Sequence, residues 1–326
     1  MNGYIDMHCD TLMEGMRQHT GSVTKLKDTQ LDIERLKQSG VSAQFFAMYI
    51  PQREECEEYG LEHWISMDEL VQRMQAVFTR TLEENSDFLR FAGNWTDLRN
   101  NEKDGLVSAF LTMENGAPVD GDLHKLDTFY NMGVRLITLT WNDPNCFGFP
   151  NSEDPMTMNR GLTSFGREAV EYMNAKGILI DVSHLSDGGF RDVAQLSKKP
   201  FVASHSNCRA LSPHTRNLTD DMIRRLGDCG GVAGLNLYGG FLNPDILDDA
   251  SRVDRLVDHA EHLIRFGGEE CVGIGTDFDG ITGTQEINEC RKMHLLLEAM
   301  DRRGFSDDRI ERIWYGNVSR VLRDVL

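Results

Sequence analysis

The chain is short of basic residues, has no paired-cysteine motif and contains no long apolar run, and each shortage excludes something. Lys and Arg number 34 against 52 Asp and Glu, a formal net charge of -18. Phosphate backbones and anionic lipid surfaces are bound through clustered Lys and Arg, so this balance argues against a nucleic-acid partner and against a membrane. The 7 cysteines (Cys9, Cys56, Cys146, Cys208, Cys229, Cys271 and Cys290) are dispersed, odd in number and never spaced CxxC. That pattern describes reduced structural thiols rather than a disulfide framework. No stretch is long and apolar enough to span a bilayer. The opening residues, Met1-Asn2-Gly3-Tyr4-Ile5-Asp6, lack the basic and apolar regions of a signal peptide, so a cytoplasmic location is expected and the Asn-x-Ser/Thr triplets at Asn94, Asn217 and Asn317 read as coincidences. With 8 prolines in 326 residues there is no Pro/Ser-rich linker, and no repeat is evident.

What is present is a globular composition, 40% hydrophobic and 26% charged, long enough to bury a sizeable core. Short apolar runs recur at Tyr4–His8, Val41–Met48, Leu106–Met113, Val134–Thr140, Ile178–Val182, Phe201–Ala203, Gly231–Asn236 and Val272–Gly275. Such runs fit parallel strands covered on both faces. Helical patterns lie between them. Arg252–Phe266 carries an apolar stripe stopped by Gly267-Gly268, Thr163–Lys176 ends at Gly177, and Asp220–Leu226 follows a capping Thr219. Alternating strand and helix implies parallel crossovers. The expectation is an α/β (β/α)8 TIM barrel, one domain over residues 1–326. The segment Pro51–Asp104 is read as a helical insertion after the second strand, with a helix over Leu61–Glu84, a polar stretch around Asn94–Asp97 and no separate set of strands to build a core.

The chemistry is concentrated where these strands end. The first closes on His8-Cys9-Asp10, and alternation along a strand puts His8 and Asp10 on one face with Cys9 on the other. By itself His-x-Asp is more often a strand cap than a metal site. Glu114 follows the third run, His184 the fifth, His205 the sixth and Asp277 the eighth. The carboxyl ends of barrel strands converge on one mouth, which is where active sites form. Three His with two or three carboxylates exceed what one tetrahedral zinc takes. Two ions sharing a carboxylate, about 3.5–4 Å apart, would activate the water between them as a hydroxide nucleophile. No Lys stands at a strand end (Lys198 and Lys199 precede the sixth), so Glu114 is the expected bridge. His19, His63, His124, His259, His262 and His294 read as structural or exposed, and His214 lies in the polar loop after the sixth run.

The motifs Asp6-Met7-His8-Cys9-Asp10, Met113-Glu114-Asn115-Gly116, Asp181-Val182-Ser183-His184, Ser204-His205-Ser206, Thr215-Arg216-Asn217 and Gly273-Ile274-Gly275-Thr276-Asp277-Phe278-Asp279-Gly280 run through nearly the whole chain. In this order they resemble the renal (membrane) dipeptidase family, peptidase family M19, of the amidohydrolase-like hydrolases. The resemblance implies a zinc dipeptidase acting on small dipeptides and forming a homodimer. It implies that His8 and Asp10 bind one zinc, His184 and His205 the other, and Glu114 bridges. Asp277 would shuttle the proton of the attacking water, Arg216 would meet the substrate carboxylate, and Tyr238 would line the pocket. One position departs from the family. Where mammalian members carry a substrate-binding histidine after the fourth strand, this chain reads Leu139-Thr140-Trp141-Asn142. The histidine's role is therefore not transferred to Trp141, and Asn142 is the expected amide donor to the oxyanion. Rival readings are a lactonase, deaminase or phosphoesterase on the same barrel, or a metal-binding protein without activity.

Overall fold

The computed structural model describes residues 2–52 and 65–326; Cys56, His63 and the first residues of the expected Leu61–Glu84 helix lie outside them. Among the described residues nine strands form one parallel sheet: β1 Tyr4–Asp6, β2 Val41–Tyr49, β3 Leu89–Phe91, β4 Val107–Glu114, β5 Val134–Thr138, β6 Leu179–Asp181, β7 Val202–Ala203, β8 Val232–Leu235 and β9 Val272–Ile274. β1 pairs with both β2 and β9, and β2 pairs with β4 from Ala43–Ser108 to Tyr49–Glu114. Those pairings close every strand except β3 into a ring, the barrel expected from the sequence. β3 stands outside the ring against the first half of β4, from Leu89–Val107 to Phe91–Ala109, before β5 takes over at Leu111–Val134.

The barrel interior is filled by Ile5, Ala43, Phe45, Phe110, Leu136, Leu179, Val202 and Val232, all buried. The helix Asn317–Val325 joins this cluster through Val318, Val321, Leu322 and Val325. A second, larger core lies between the strands and the surrounding helices. Helix ends follow local chemistry. The Thr219 hydroxyl accepts from Met222 N at the start of Asp220–Asp228, and Gly177 closes Ser164–Lys176 in the left-handed region at φ 77°, where glycine carries no Cβ penalty.

The described part of the insertion holds two helices and one short strand. Its long helix is described over Met67–Glu84, capped by Ser66, and buries Leu70, Met74, Val77 and Phe78 in the same core as the barrel helices. The polar stretch at Asn94–Asp97 is the capped start of a further helix, Trp95–Lys103. One short strand, β3, lies in this segment and pairs with barrel strand β4 rather than with strands of its own. Three residues with an exposed Arg90 at the centre are too short an alternation to register as a strand; pairing with β4 makes one of them. Among the described residues no helix is long and apolar enough to cross a membrane.

Candidate metal centre and substrate cavity

The ends of β1, β4, β6, β7 and β9 deliver polar side chains to the same rim. The β1 ladder stops at Asp6, but Cys9 still bridges in parallel to Phe278, so the chain stays extended through His8. Cys9 turns into the core, where its Sγ donates to Phe45 O. His8 Nε2 lies 3.4 Å from Asp10 Oδ2, the alternation read from the sequence. β4 ends in Glu114, whose oxygens face different partners. Oε1 is 3.0 Å from His184 Nε2 and 3.4 Å from His205 Nε2, whereas Oε2 is 3.4 Å from His8 Nε2. Asp277 Oδ1 is 3.7 Å from His8 Nε2. Donor atoms within 4.8 Å of one another therefore form overlapping triads: His8–Asp10–Glu114, Glu114–His184–His205 and His8–His205–Asp277. His184 and Asp277 hold positive φ, 68° and 63°, a conformation that non-glycine residues adopt only when the surroundings enforce it.

The hydrogen bonds around the cluster fix which nitrogens face it. Asp181, at the end of β6, accepts from Ser183 N (3.0 Å) and Ser204 N (2.8 Å) on Oδ1, and from Thr138 Oγ1 (2.7 Å) and Ser204 Oγ (2.6 Å) on Oδ2. Since Ser204 spends its hydroxyl proton on Asp181, it accepts from His205 Nδ1 at 2.8 Å. His205 Nε2 is then a bare lone pair. His184 Nδ1 faces Asn142 Oδ1 at 3.3 Å, which leaves its Nε2 bare as well. The two Nε2 atoms stand 3.1 Å apart beside Glu114 Oε1, acceptor against acceptor. Nothing neutral in the protein satisfies that arrangement, and a cation does. On the other side neither ring nitrogen of His8, nor Asp10 Oδ1, has a hydrogen-bond partner among the described residues although all are buried. Imidazole nitrogens and carboxylate oxygens are the donors a zinc-type ion takes, so the residues fit a metal.

The protonation energetics point the same way. Burial raises the Asp10 carboxyl to about 8, helped by the neighbouring Glu114 charge. Burial acts against a charged Glu114 too, but the His8 charge and the close approach of the His184 and His205 rings outweigh it and hold its pKa well below the ordinary value. For His8, burial disfavours the cation, yet Glu114 and Asp10 prevail and lift its pKa well above the usual histidine range. Burial and the Arg216 charge push His184 down to about 4, and burial with His8 pushes His205 well down. Neutral imidazoles facing a shared carboxylate are ready-made metal ligands.

Beside the cluster opens a cavity of about 440 Å³, lined among others by Asp10, Glu114, His184, Asp277, Arg216 and Tyr238. Arg216 is 7% exposed; its Nη1 donates to Ser206 Oγ at 3.2 Å, and its Nε has no partner among the described residues. Burial lowers its pKa, opposed by Asp277 and Glu114. Asp277 Oδ2 accepts from Asn236 Nδ2 at 2.8 Å, and burial raises its pKa, against His8. Tyr238 lines the cavity and also packs edge-on against Phe241, centroids 4.8 Å apart. Trp141 reaches the cavity and meets Tyr49 edge-on at 5.0 Å. Asn142 Oδ1 lies 3.3 Å from His184 Nδ1, and Asn142 is not among the residues lining the cavity.

Some of the site escaped sequence reasoning. Asp181 and its counterpart Asp6, which accepts from Thr276 N and Oγ1, His8 N and Gln44 Nε2, are buried carboxylates that tie neighbouring strand ends together. An acid inside an apolar run was the available signal. Gly280 is another: a Cβ there would overlap Asp10 Oδ2 and Asp277 Oδ1. Outside the cluster, His259 is buried and bridges Cys208 N and Leu242 O, and His214 Nδ1 accepts from Arg216 N.

Comparison with known proteins converges on one family. The model of the membrane dipeptidase family (peptidase family M19) matches residues 2–326. The dipeptidase aclJ of Aspergillus oryzae is 32% identical over 91% of this chain and 70% of its own length. A dipeptidase of Schizosaccharomyces pombe, itself uncharacterized, is 33% identical over 89% of this chain and 71% of its own. The crystal structure of a Rhodobacter sphaeroides metallopeptidase, liganded with a phosphinate mimic of L-Ala-D-Ala, superposes with a TM-score of 0.87 at 29% identity, covering 100% of this chain and 99% of that one. The donor set and these matches favour a peptidase over the lactonase, deaminase, phosphoesterase and non-catalytic readings. The chain belongs to the membrane dipeptidase family, peptidase family M19, and is a metal-dependent dipeptidase.

Proposed function

We propose that this protein hydrolyses dipeptides at a centre of two zinc ions, one held by His8 and Asp10, the other by His184 and His205, with Glu114 shared between them. The observation that carries the reading is Glu114 itself, whose two oxygens face separate histidine sets beside a buried arginine. Bound zinc would polarise the scissile carbonyl and lower the pKa of water toward about 7. The protein's own groups do the rest. Arg216 presents its guanidinium fork to the C-terminal carboxylate of the dipeptide. Asp277 takes the proton of the attacking water and passes it to the departing amine. Asn236, donating to the far oxygen of Asp277, keeps the near one turned toward the cluster. Tyr238 forms a wall of the cavity. The same family resemblance supports a homodimer.

The test separates ligand from proton carrier. His184→Ala is expected to lose metal and turnover together. Asp277→Asn is expected to keep its bound metal and lose turnover by about 10²–10⁴-fold, the range for a general acid–base group. Wild-type turnover in Asp277→Asn removes that role. A zinc-loaded protein inert toward a panel of L,L and L,D dipeptides removes the substrate assignment.

A further inference from the structure

Arg216 lies in the stretch between β7 and the helix Asp220–Asp228, with no strand or helix of its own to fix where its guanidinium points. A second arginine supplies that constraint. Arg209 Nε donates to the carbonyl oxygen of Asn217 at 2.8 Å, and its Nη2 to the carbonyl oxygen of Thr215 at 2.9 Å. These are the two carbonyls that flank Arg216. The far edge of the same guanidinium is held by Asp187, Nη1 to Oδ2 and Nη2 to Oδ1, both at 2.8 Å. Asp187 opens the helix Asp187–Leu196 just after His184, so the grip is anchored to the element that follows a proposed metal ligand. Asn151 ties the two loops again. It accepts from Thr215 Oγ1 at 2.7 Å through its own side chain, and its backbone N–H donates to His184 O at 2.7 Å.

We propose that Arg209, clamped by Asp187, is a positioning residue that aims Arg216 at the substrate carboxylate and thereby makes the enzyme selective for dipeptides with a free C-terminus. This rests on the reading of Arg216 as the carboxylate site. Arg209 acts by shape. Its charge is matched by the bidentate Asp187 carboxylate, and the two carbonyls are reached only by a planar fork with donors on both edges. A lysine at this position keeps the charge and loses the fork.

The experiment compares an Ala-Ala dipeptide with its C-terminal amide on the zinc-loaded enzyme, reading kcat and KM, or Ki where the amide is not turned over. Arg209→Ala is expected to raise KM for the free acid about tenfold, with kcat within about twofold, because the interaction lost is one made to ground and transition state alike. Binding of the amide and zinc content stay unchanged, and Arg209→Lys behaves like Arg209→Ala. Asp187→Asn leaves the arginine in place and loosens it, so a smaller rise confined to the acid is expected; it stands in should Arg209→Ala fail to fold. An unchanged KM for the acid in both Arg209→Ala and Asp187→Asn, equal losses for acid and amide, or full rescue by Arg209→Lys overturns the proposal. Arg216→Lys distinguishes the two levels. If the acid-over-amide preference depends on Arg216 but survives Arg209→Ala, only the positioning role falls. If the wild type shows no such preference, the Arg216 reading falls with it.

Discussion

Replacing Asp181 by Asn changes no atom that faces the cavity, yet it should disable one half of the metal centre. Asp181 Oδ1 accepts two backbone N–H groups, from Ser183 and Ser204, neither of which can reverse its polarity. The Asn oxygen must take that side, which turns its NH2 toward Thr138 Oγ1 and Ser204 Oγ, at 2.7 and 2.6 Å from Oδ2 in the native protein. Both hydroxyls must then accept, and the Ser204 proton turns to His205 Nδ1 at 2.8 Å, a much nearer acceptor than Ser183 Oγ at 3.4 Å. That moves the ring proton of His205 to Nε2, the atom facing Glu114 and His184. A histidine protonated there cannot ligate. Loss of a partner behind a metal-bound histidine typically costs about 10–100-fold in metal affinity, and that is the expected drop. Competition with a chromophoric chelator measures it. Asp6→Asn is the internal control. Asp6 is equally buried and accepts from His8 N, Thr276 and Gln44, but from no histidine ring. It should lower Tm with a much smaller loss of metal. Equal metal affinity in Asp181→Asn and wild type, with Asp181→Asn folded, would refute the tautomer argument.

Gly280→Ala puts a methyl where Asp10 and Asp277 converge, so metal content and turnover should both fall, turnover by about 100-fold or more, while the far-ultraviolet circular dichroism stays native; a fully active variant would show that the rim yields more easily than its packing implies. A different readout applies to His259, whose pKa burial depresses to about 4 and whose Nδ1 must stay unprotonated to accept from Cys208 N. The unfolded chain binds that proton near the ordinary value of about 6.5 and the folded chain only near 4, so stability present above pH 6.5 is lost as pH falls toward 4, by about 3 kcal/mol at most. Urea midpoints of His259→Asn should be lower at pH 7 and flatter between pH 6.5 and 4; an unchanged slope assigns the acid sensitivity elsewhere.

Much of the site was legible because its residues obey strand alternation and sit where apolar runs stop. His8 and Asp10 were a weak pair until Glu114, His184, His205 and Asp277 appeared at other strand ends, and the barrel brings all of them within a few ångströms. What stayed hidden depends on partners far away in sequence. That Asp6 meets Thr276 and Asp181 meets Ser204 follows from β1 lying beside β9 and β6 beside β7, an adjacency that no local pattern encodes. The orientation of Asn142 is of the same kind, set by where the His184 ring lands. β3 went unseen because three residues with a charged centre carry almost no periodicity, and the helix Trp95–Lys103 because its buried face is little more than Leu98 and Asn101. In each case tertiary contact decided what propensity left open.

The proposed two-ion centre, if hydrolysis requires it, ties turnover to metal occupancy. Stripping the protein with chelator, titrating zinc back, and reading bound metal and Ala-Ala turnover on the same samples measures that link. The expected result is turnover that rises with occupancy and levels off at two zinc ions per chain, with His184→Ala unable to reach that level. Turnover in the stripped protein, or full turnover at a single ion per chain, would contradict it.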